Sequence, residues 1–576
     1  MSHILKRILP TAVLGLLSLW FWAIVSPNTL HFHETAQFFP YTWTHLREAL
    51  GIPGGPARYV SEFFVQFFLY AFPAGLIVSL FLCALQGLSW KLACQFRKQE
   101  SEALYPLSFI VPFCAWTYLC DFGNMFTGIV ALTGVLAGAC LYFNKERSWG
   151  AAALTTLLLY WTCGPLAGIF VLLLALHTIL KGGKAWPVIA ALALWALLPF
   201  LWHYCIQYTL KELYLGNEYY HEPQKWSAGY WILAASPLAV CLVQGLLPAP
   251  REGRGATWSW LIGSILVFGL GWFWMIRHCN PTYERIFKYD KMALHQDWDG
   301  ILAKAKKVPP RTLAEATAVN LSMAMQGRLL TDLFQFQQPG PTSLFPDYAS
   351  GYVVTLTAGE SVYRAGLLST ARHYAFEEYE SYPNYQVSAR HMKRVAEIDL
   401  MHGQYTLARR FLKDLSHTLF YRKWAKRYLE DPTRIEEDPE YQRLMQYRDS
   451  SDFLYSDSSD DDKREMLRHI VAKDGQVSVP MQYLLAYDLL ARDLFSLRVH
   501  LLLIDFKGEV PPLIQQAAAM FDGAFFEVAP EERALVSDEI RKQYSDFQTA
   551  LIEDRSGGEI KARFGKTYWY YYSQKQ

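Results

Sequence analysis

The residues best suited to chemistry sit in a few short polar stretches of an otherwise apolar sequence. His31-Phe32-His33-Glu34 places two imidazoles and a carboxylate side by side. Glu34 is flanked by Phe32, Phe38 and Phe39, so it is expected at an apolar boundary. Partial loss of hydration there raises a carboxylate's proton affinity and fits it for general-base work. The simpler role is an interfacial glutamate satisfied by Arg47 or water. His31 and His33, on one face of an extended segment, are candidate ligands for a divalent metal, with His221 and Glu222 available to complete the site. Asp121 lies in the tight stretch "CDFGNMF" between two apolar runs. An acid so close to a membrane is either functional or, with Asn124, a cap for the helix that follows. In "GIPGGPARYV" the Gly/Pro content lacks the strand-then-helix setting of a phosphate loop and reads as a turn, while Arg58 beside Tyr59 could meet an anionic headgroup. The sequence contains no Gly-x-Ser-x-Gly, Walker or zincin motif.

The elements that must position these residues are apolar helices. From residue 8 to 276 the sequence is a series of Trp-, Phe-, Leu- and Ala-rich runs, and about 20 such residues cross a bilayer. Spans are expected near 8–25, 63–88, 104–120, 125–143, 149–163, 166–180, 186–206, 228–247 and 258–276, with 149–180 divided at Cys163-Gly164-Pro165. About nine spans with a cytoplasmic N-terminus put Lys6, Arg7, Lys91, Arg97, Lys98, Lys145, Arg147, Lys181, Lys184, Arg251 and Arg254 inside. The outside loops between spans then hold only Arg47, Arg58, Lys211 and Lys225, as the positive-inside rule requires. The first span, with its long apolar centre and no clear cleavage site, reads as an uncleaved anchor. Loops 26–62 and 207–227 and everything after Arg277 share the extracytoplasmic side in this topology. All nine cysteines precede residue 280, mostly within spans, so the exported part is not stapled by disulfides. A net charge of +1 gives no reason to expect a nucleic-acid partner.

The domain organisation is therefore 1–276 in the membrane and 277–576 outside it. The second part is helical with repeats. In "AEIDLMHGQYTLARRFLKDL" (396–415), Gly403, Tyr405, Ala408, Leu412 and Leu415 fall where a tetratricopeptide repeat has its turn and second-helix apolar positions. Weaker echoes lie at 293–310, 321–336, 365–383 and 481–506. The fold class expected is all-α: a polytopic transmembrane helix bundle followed by a tetratricopeptide-like α-solenoid. Its concave face would be a scaffold or hold a periplasmic protein or a glycan. The acidic stretch 456–463 lacks the turn glycine and terminal glutamate of a calcium loop and reads as a solvated linker.

"GIPGGPARYVSEFFVQFF" together with residues 366–425 resembles an uncharacterised family of Bacteroidetes polytopic membrane proteins, which implies a bacterial inner membrane and a periplasmic outer compartment. The layout is similar, more loosely, to class C glycosyltransferases. These have many spans, an essential acid in a long first extracytoplasmic loop, and polyprenyl-phosphate-linked sugar donors. That similarity implies catalytic roles for Glu34 and Asp121 and phosphate binding by Arg58 and Arg277, with His221 and Glu222 lining the substrate. The usual acidic pair is replaced here by "HFHE". The rival expectation is a non-catalytic, membrane-anchored tetratricopeptide scaffold for envelope assembly. A transporter is disfavoured because the spans hold almost no ionisable residues.

Overall fold

Glycine and proline decide where the apolar helices stop. In the computed structural model the described residues are 3–97, 101–144, 148–216, 227–248, 254–346, 352–381, 388–448, 460–471, 478–504, 509–525, 527–553 and 557–574. They are helical, with no strand among the described residues. The chain forms two compact units. The first is 1–287 with segments 382–390 and 414–422, and the second is 288–381, 391–413 and 423–576.

The first unit opens with α1 (His3–Trp20), which runs through a π-helical turn at Phe21–Val25. The connector then folds into three helices: α2 (Pro27–Thr35), α3 (Trp43–Leu50) and α4 (Gly55–Val65). After them come α5 (Ala71–Phe96), α6 (Ile110–Cys120), α7 (Thr127–Phe143), α8 (Trp149–Cys163), α9 (Ala167–Lys181) and α10 (Trp186–His203). The unit continues with α11 (Leu210–Leu215), α12 (Ala228–Leu246), α13 (Arg254–His278) and the start of α14 (Pro281–Leu294).

Among the described residues, 7 stretches are long and apolar enough to cross a membrane: Lys6–Val25, Ala71–Phe96, Glu102–Cys120, Trp149–Lys181, Trp186–His203, Ala228–Leu246 and Arg254–His278. α7 is a shorter apolar helix. In α13 only 11% of the most apolar window is buried, and Ile262, Ile265, Leu266 and Phe273 stand exposed. An apolar surface of that extent is a liability in water and suits lipid, so this unit is a membrane domain.

Two boundaries differ from a reading of hydropathy alone. The second span, expected at 63–88, is the helix Ala71–Phe96. The apolar residues before it belong to α4 and a 3-10 turn at Gln66–Leu69, and extended Tyr70 (φ −116°, ψ 127°) separates them from α5. The 33-residue run Trp149–Lys181 is interrupted at Gly164, whose φ of 67° and ψ of −150° suit only glycine. At the C-terminal end of α8, Gly54 N–H donates to the Trp161 carbonyl at 2.9 Å and Trp161 Nε1 donates to the Leu50 carbonyl at 2.9 Å. The start of α8 and the end of α9, by contrast, line one cavity through Ser148, Trp149, Thr178 and Lys181. The run therefore doubles back at Gly164.

The second unit repeats one local device. Its elements include α15 (Trp298–Lys307), α16 (Leu313–Met325), α17 (Leu329–Asp332), α18 (Tyr352–Arg364), α19 (Leu368–Ser381), α20 (Ala389–Met401) and α21 (Tyr405–Leu415). Further on lie α22 (Arg422–Glu430), α23 (Pro439–Met445), α24 (Asp460–Val471), α25 (Val479–Ala491) and α26 (Leu494–Leu501). Gln296, Gly327, Gly366, Gly403 and Arg492 each adopt a left-handed φ. The residue after each donates its N–H five positions back, to Met292, Met323, Val362, Asp399 and Asp488, and the next helix starts one residue further on. This is the Schellman ending of a helical hairpin, and each of the five segments singled out by sequence contains one. Ala408, Leu412 and Leu415 are buried behind the turn at Gly403.

Between hairpins lies a buried ionic network. Glu360 receives Arg364 Nε at 2.7 Å and the Arg394 guanidinium at 2.6 Å. Glu397 accepts from Tyr441 at 2.9 Å and pairs with Lys393 at 3.2 Å. Burial alone would raise the Glu397 pKa, but Lys393, Arg394 and Tyr441 together hold it below the usual range.

No side chain crowds a Cβ built at Gly403, so a substitution there meets backbone strain alone. Gly403→Val is expected to cost about 1–2 kcal/mol and Gly403→Ala somewhat less. Both are measurable as lowered unfolding temperatures of the full chain in detergent.

Candidate functional site: a polar helix buried in the membrane domain

α2 has the sequence PNTLHFHET, which carries no apolar stripe, yet Asn28 through Thr35 are all buried. A helix buried on every side is normally apolar, because each buried polar group must find a partner or cost stability. The largest part of that demand is met at the N-terminus. Glu284, on α14, accepts hydrogen bonds from Ser26 Oγ (3.1 Å), the Asn28 N–H (3.1 Å) and Nδ2 (2.6 Å), and the Thr29 N–H (2.8 Å) and Oγ1 (2.9 Å). A carboxylate there also faces the positive end of the helix dipole. Pro27 at the first helical position has no N–H to satisfy.

Successive residues of α2 turn by about 100° and so meet different walls. Phe32 stacks on Phe287 at 4.4 Å and meets Phe122 edge-on at 5.6 Å. His33 is hydrogen-bonded to the Leu119 backbone at the end of α6. Its Nε2 is buried without a hydrogen-bond partner, and burial lowers its pKa from 6.5 to about 4, so the ring is neutral at physiological pH. Glu34 accepts from the Tyr421 hydroxyl at 3.4 Å. Just past the helix, both amide atoms of the buried Gln37 also lack hydrogen-bond partners.

Tyr421 arrives on the segment 414–422, which seats against the connector. Tyr41 N–H donates to the His417 carbonyl at 2.8 Å, and Phe420 packs edge-on against Phe67 (5.9 Å) and Tyr70 (5.4 Å). Burial and the nearby Glu34 charge push the Tyr421 hydroxyl well above its ordinary pKa, with the Arg390 charge acting the other way. Tyr421 therefore stays a neutral donor, and a carboxylate, a phenol and a guanidinium share this corner.

The other residues singled out by sequence have different surroundings. Asp121 is exposed, and its Oδ1 accepts the Gly123 N–H at 3.0 Å, closing its own turn. Asn124 Nδ2 donates to the Tyr118 carbonyl at 2.8 Å, and its Oδ1 accepts from Ser227 at 2.7 Å, tying α6 to the start of α12. Phe122 meets α2 through Phe32, roughly 200° around the helix from Glu34. Arg58 pairs with Glu62 at 3.5 Å, and Glu62 pairs with His45 at 2.8 Å. Arg277 is exposed at the end of α13. His31 is buried with the rest of α2. His221 and Glu222 lie outside the described residues. Among the described residues no three His, Cys, Asp or Glu side chains are arranged to hold a metal ion. Sequence reasoning did not find Glu284, Tyr421 or Arg390. The one available signal was the aromatic stretch "TLFYRKW" (418–424), which interrupts the repeat pattern after Leu415.

Two outcomes follow from this geometry. Glu284→Ala leaves the start of α2 uncapped and should lower stability by about 2 kcal/mol, with faster amide exchange confined first to 27–35. His33 acts through pH. Below 6.5 the unfolded chain takes up a proton that the folded ring refuses until about 4, so stability is lost as pH falls through that window. The unfolding temperature in detergent should drop across it, and His33→Gln should flatten the drop.

Searches of the curated proteins and of the solved structures find no match. A family model does match, over residues 3–575. The protein with this buried polar helix belongs to the family of unknown function designated DUF6057.

Proposed function

We propose that the protein is a class C-like glycosyltransferase that uses a polyprenyl-phosphate-linked sugar at the periplasmic face of a bacterial inner membrane. The observation that carries this reading is the buried polar helix α2 with Glu34 against Tyr421. A domain that merely anchors a scaffold gains nothing from burying Asn28, Thr29, His33, Glu34 and Gln37, and ionisable groups in such a setting mark functional sites. The layout supports the same reading: apolar helices, a long first connector folded over them, and an acid soon after the first span. In this scheme Glu34 takes the proton of the acceptor hydroxyl. The new glycosidic bond forms at the anomeric carbon as its bond to phosphate breaks, and polyprenyl phosphate leaves with the electron pair. Arg390, whose charge acts on Tyr421, is the candidate to steady the leaving phosphate. Asp121, closing its own turn, is assigned a structural role.

Topology follows the distribution of Lys and Arg, with the N-terminus in the cytoplasm and the second unit in the periplasm. The break at Gly164 supports counting α8 and α9 as separate crossings, for nine in all. The second unit is read as a tetratricopeptide-like solenoid on the strength of its five equivalent hairpin turns. Those turns also favour a second reading, in which the membrane domain holds a periplasmic scaffold for an envelope protein or glycan.

The test is turnover of a polyprenyl-phosphate-linked sugar by the purified protein. Glu34→Gln should reduce it roughly 100-fold or more, and Tyr421→Phe should reduce it less and shift its pH profile. A wild-type protein with no turnover, whose partner capture is unchanged by Glu34→Gln, would leave the scaffold as the function.

A further inference from the structure

At the other end of α8 from its contacts with Leu50 and Gly54 lies a cavity of about 860 Å³. The two are separated by the length of a 15-residue helix, roughly 20 Å. The cavity is distinct from α2 and plays no part in the scheme above. It is formed where α8 begins, α9 ends and α10 begins.

Its lining divides by chemistry. Lys181, Lys184, Ser148 and Thr178 gather at the helix ends, and no carboxylate lines the cavity among the described residues. Lys181 donates to the Arg97 carbonyl, which fixes its ammonium group. Two helices, α8 and α10, start here and two, α7 and α9, end here, so the helix dipoles offset one another and the lysines supply the positive charge. Deeper in, Leu174, Ala190 and Ala193 make an apolar wall. Trp149 and Trp186 flank the opening, 67% and 70% exposed, as tryptophans do at the boundary between headgroups and acyl chains.

We propose that this cavity binds the headgroup phosphate of an anionic phospholipid, with an acyl chain running along the apolar wall. The ligand is defined by charge and amphipathy together. A monoanionic phosphate answers the two ammonium groups, Tyr142 and His177 add polar groups to the lining, and the apolar stretch at Leu174, Ile189, Ala190 and Ala193 offers a soluble anion nothing. A zwitterionic headgroup carries its own cation into a site already positive. Basic pockets between membrane helices hold anionic headgroups by this balance, with each lysine contributing about fivefold in affinity.

The experiment uses the full chain in detergent, stripped of native lipid, with binding followed by native mass spectrometry. Dioleoylphosphatidylglycerol, dioleoylphosphatidylcholine and inorganic phosphate are the probes. Phosphatidylglycerol should bind more tightly than phosphatidylcholine, and inorganic phosphate should not displace it. Lys184→Glu changes an exposed side chain and should weaken phosphatidylglycerol binding about fivefold or more. Ala193→Trp should do the same by filling the apolar end, while Lys91→Glu, outside the cavity, should leave binding unchanged. Elution as a single species establishes that each variant is folded, and either cavity variant alone suffices for the comparison. Equal binding of the two lipids, or wild-type binding by the folded cavity variants, overturns the proposal. Displacement by inorganic phosphate overturns the lipid assignment and makes the cavity a site for a soluble anion.

Discussion

The arrangement of the membrane domain depends on one carboxylate. Glu284 gathers the hydroxyls, side-chain amide and first free backbone N–H groups at the start of α2. These donors have no partner within the helix itself. Capped in this way, a segment of ordinary loop composition becomes a helix that can be buried. Its three outward directions are then fixed: Phe32 against Phe122 and Phe287, His33 against the end of α6, and Glu34 against Tyr421.

A polar helix in this position is expensive, and the structure satisfies it unevenly. The N-terminal half is saturated by Glu284, whereas His33 Nε2 in the C-terminal half and the Gln37 amide just past the helix are without hydrogen-bond partners. Each such atom costs on the order of 1–3 kcal/mol. That expense falls beside the one carboxylate of the helix. Stability given up locally, around an acid held at a defined orientation, is what the proposed ligand site would require.

How much of this could be read from the sequence varied with the range of the interactions. The apolar helices were legible because lipid imposes length and composition on each helix separately. The break at Gly164 was legible because glycine followed by proline is a local signal. The five hairpin segments were legible for the same reason, although Gln296 and Arg492 take a left-handed position more often given to glycine. α2 was not legible as a buried helix, since "SPNTLHFHET" has a good start signal and no apolar periodicity. Its burial depends on Glu284, more than 250 positions away, and no spacing rule reaches that far. Tyr421 is further still from Glu34. The expectation of two acids at one site rested on linear order along the chain. In the structure Glu34 meets Tyr421, and Asp121 closes its own turn through the Gly123 N–H.

The most direct measurement is a cryo-electron microscopy map of the protein with a polyprenyl-phosphate-linked sugar. The account predicts density for the sugar-bearing head beside α2, within hydrogen-bonding reach of Glu34 and with its phosphate near Arg390. It also predicts that Glu284 still closes the start of the helix. Ligand density confined to another part of the molecule, with α2 exposed or Glu34 turned away from Tyr421 into solvent, would contradict it.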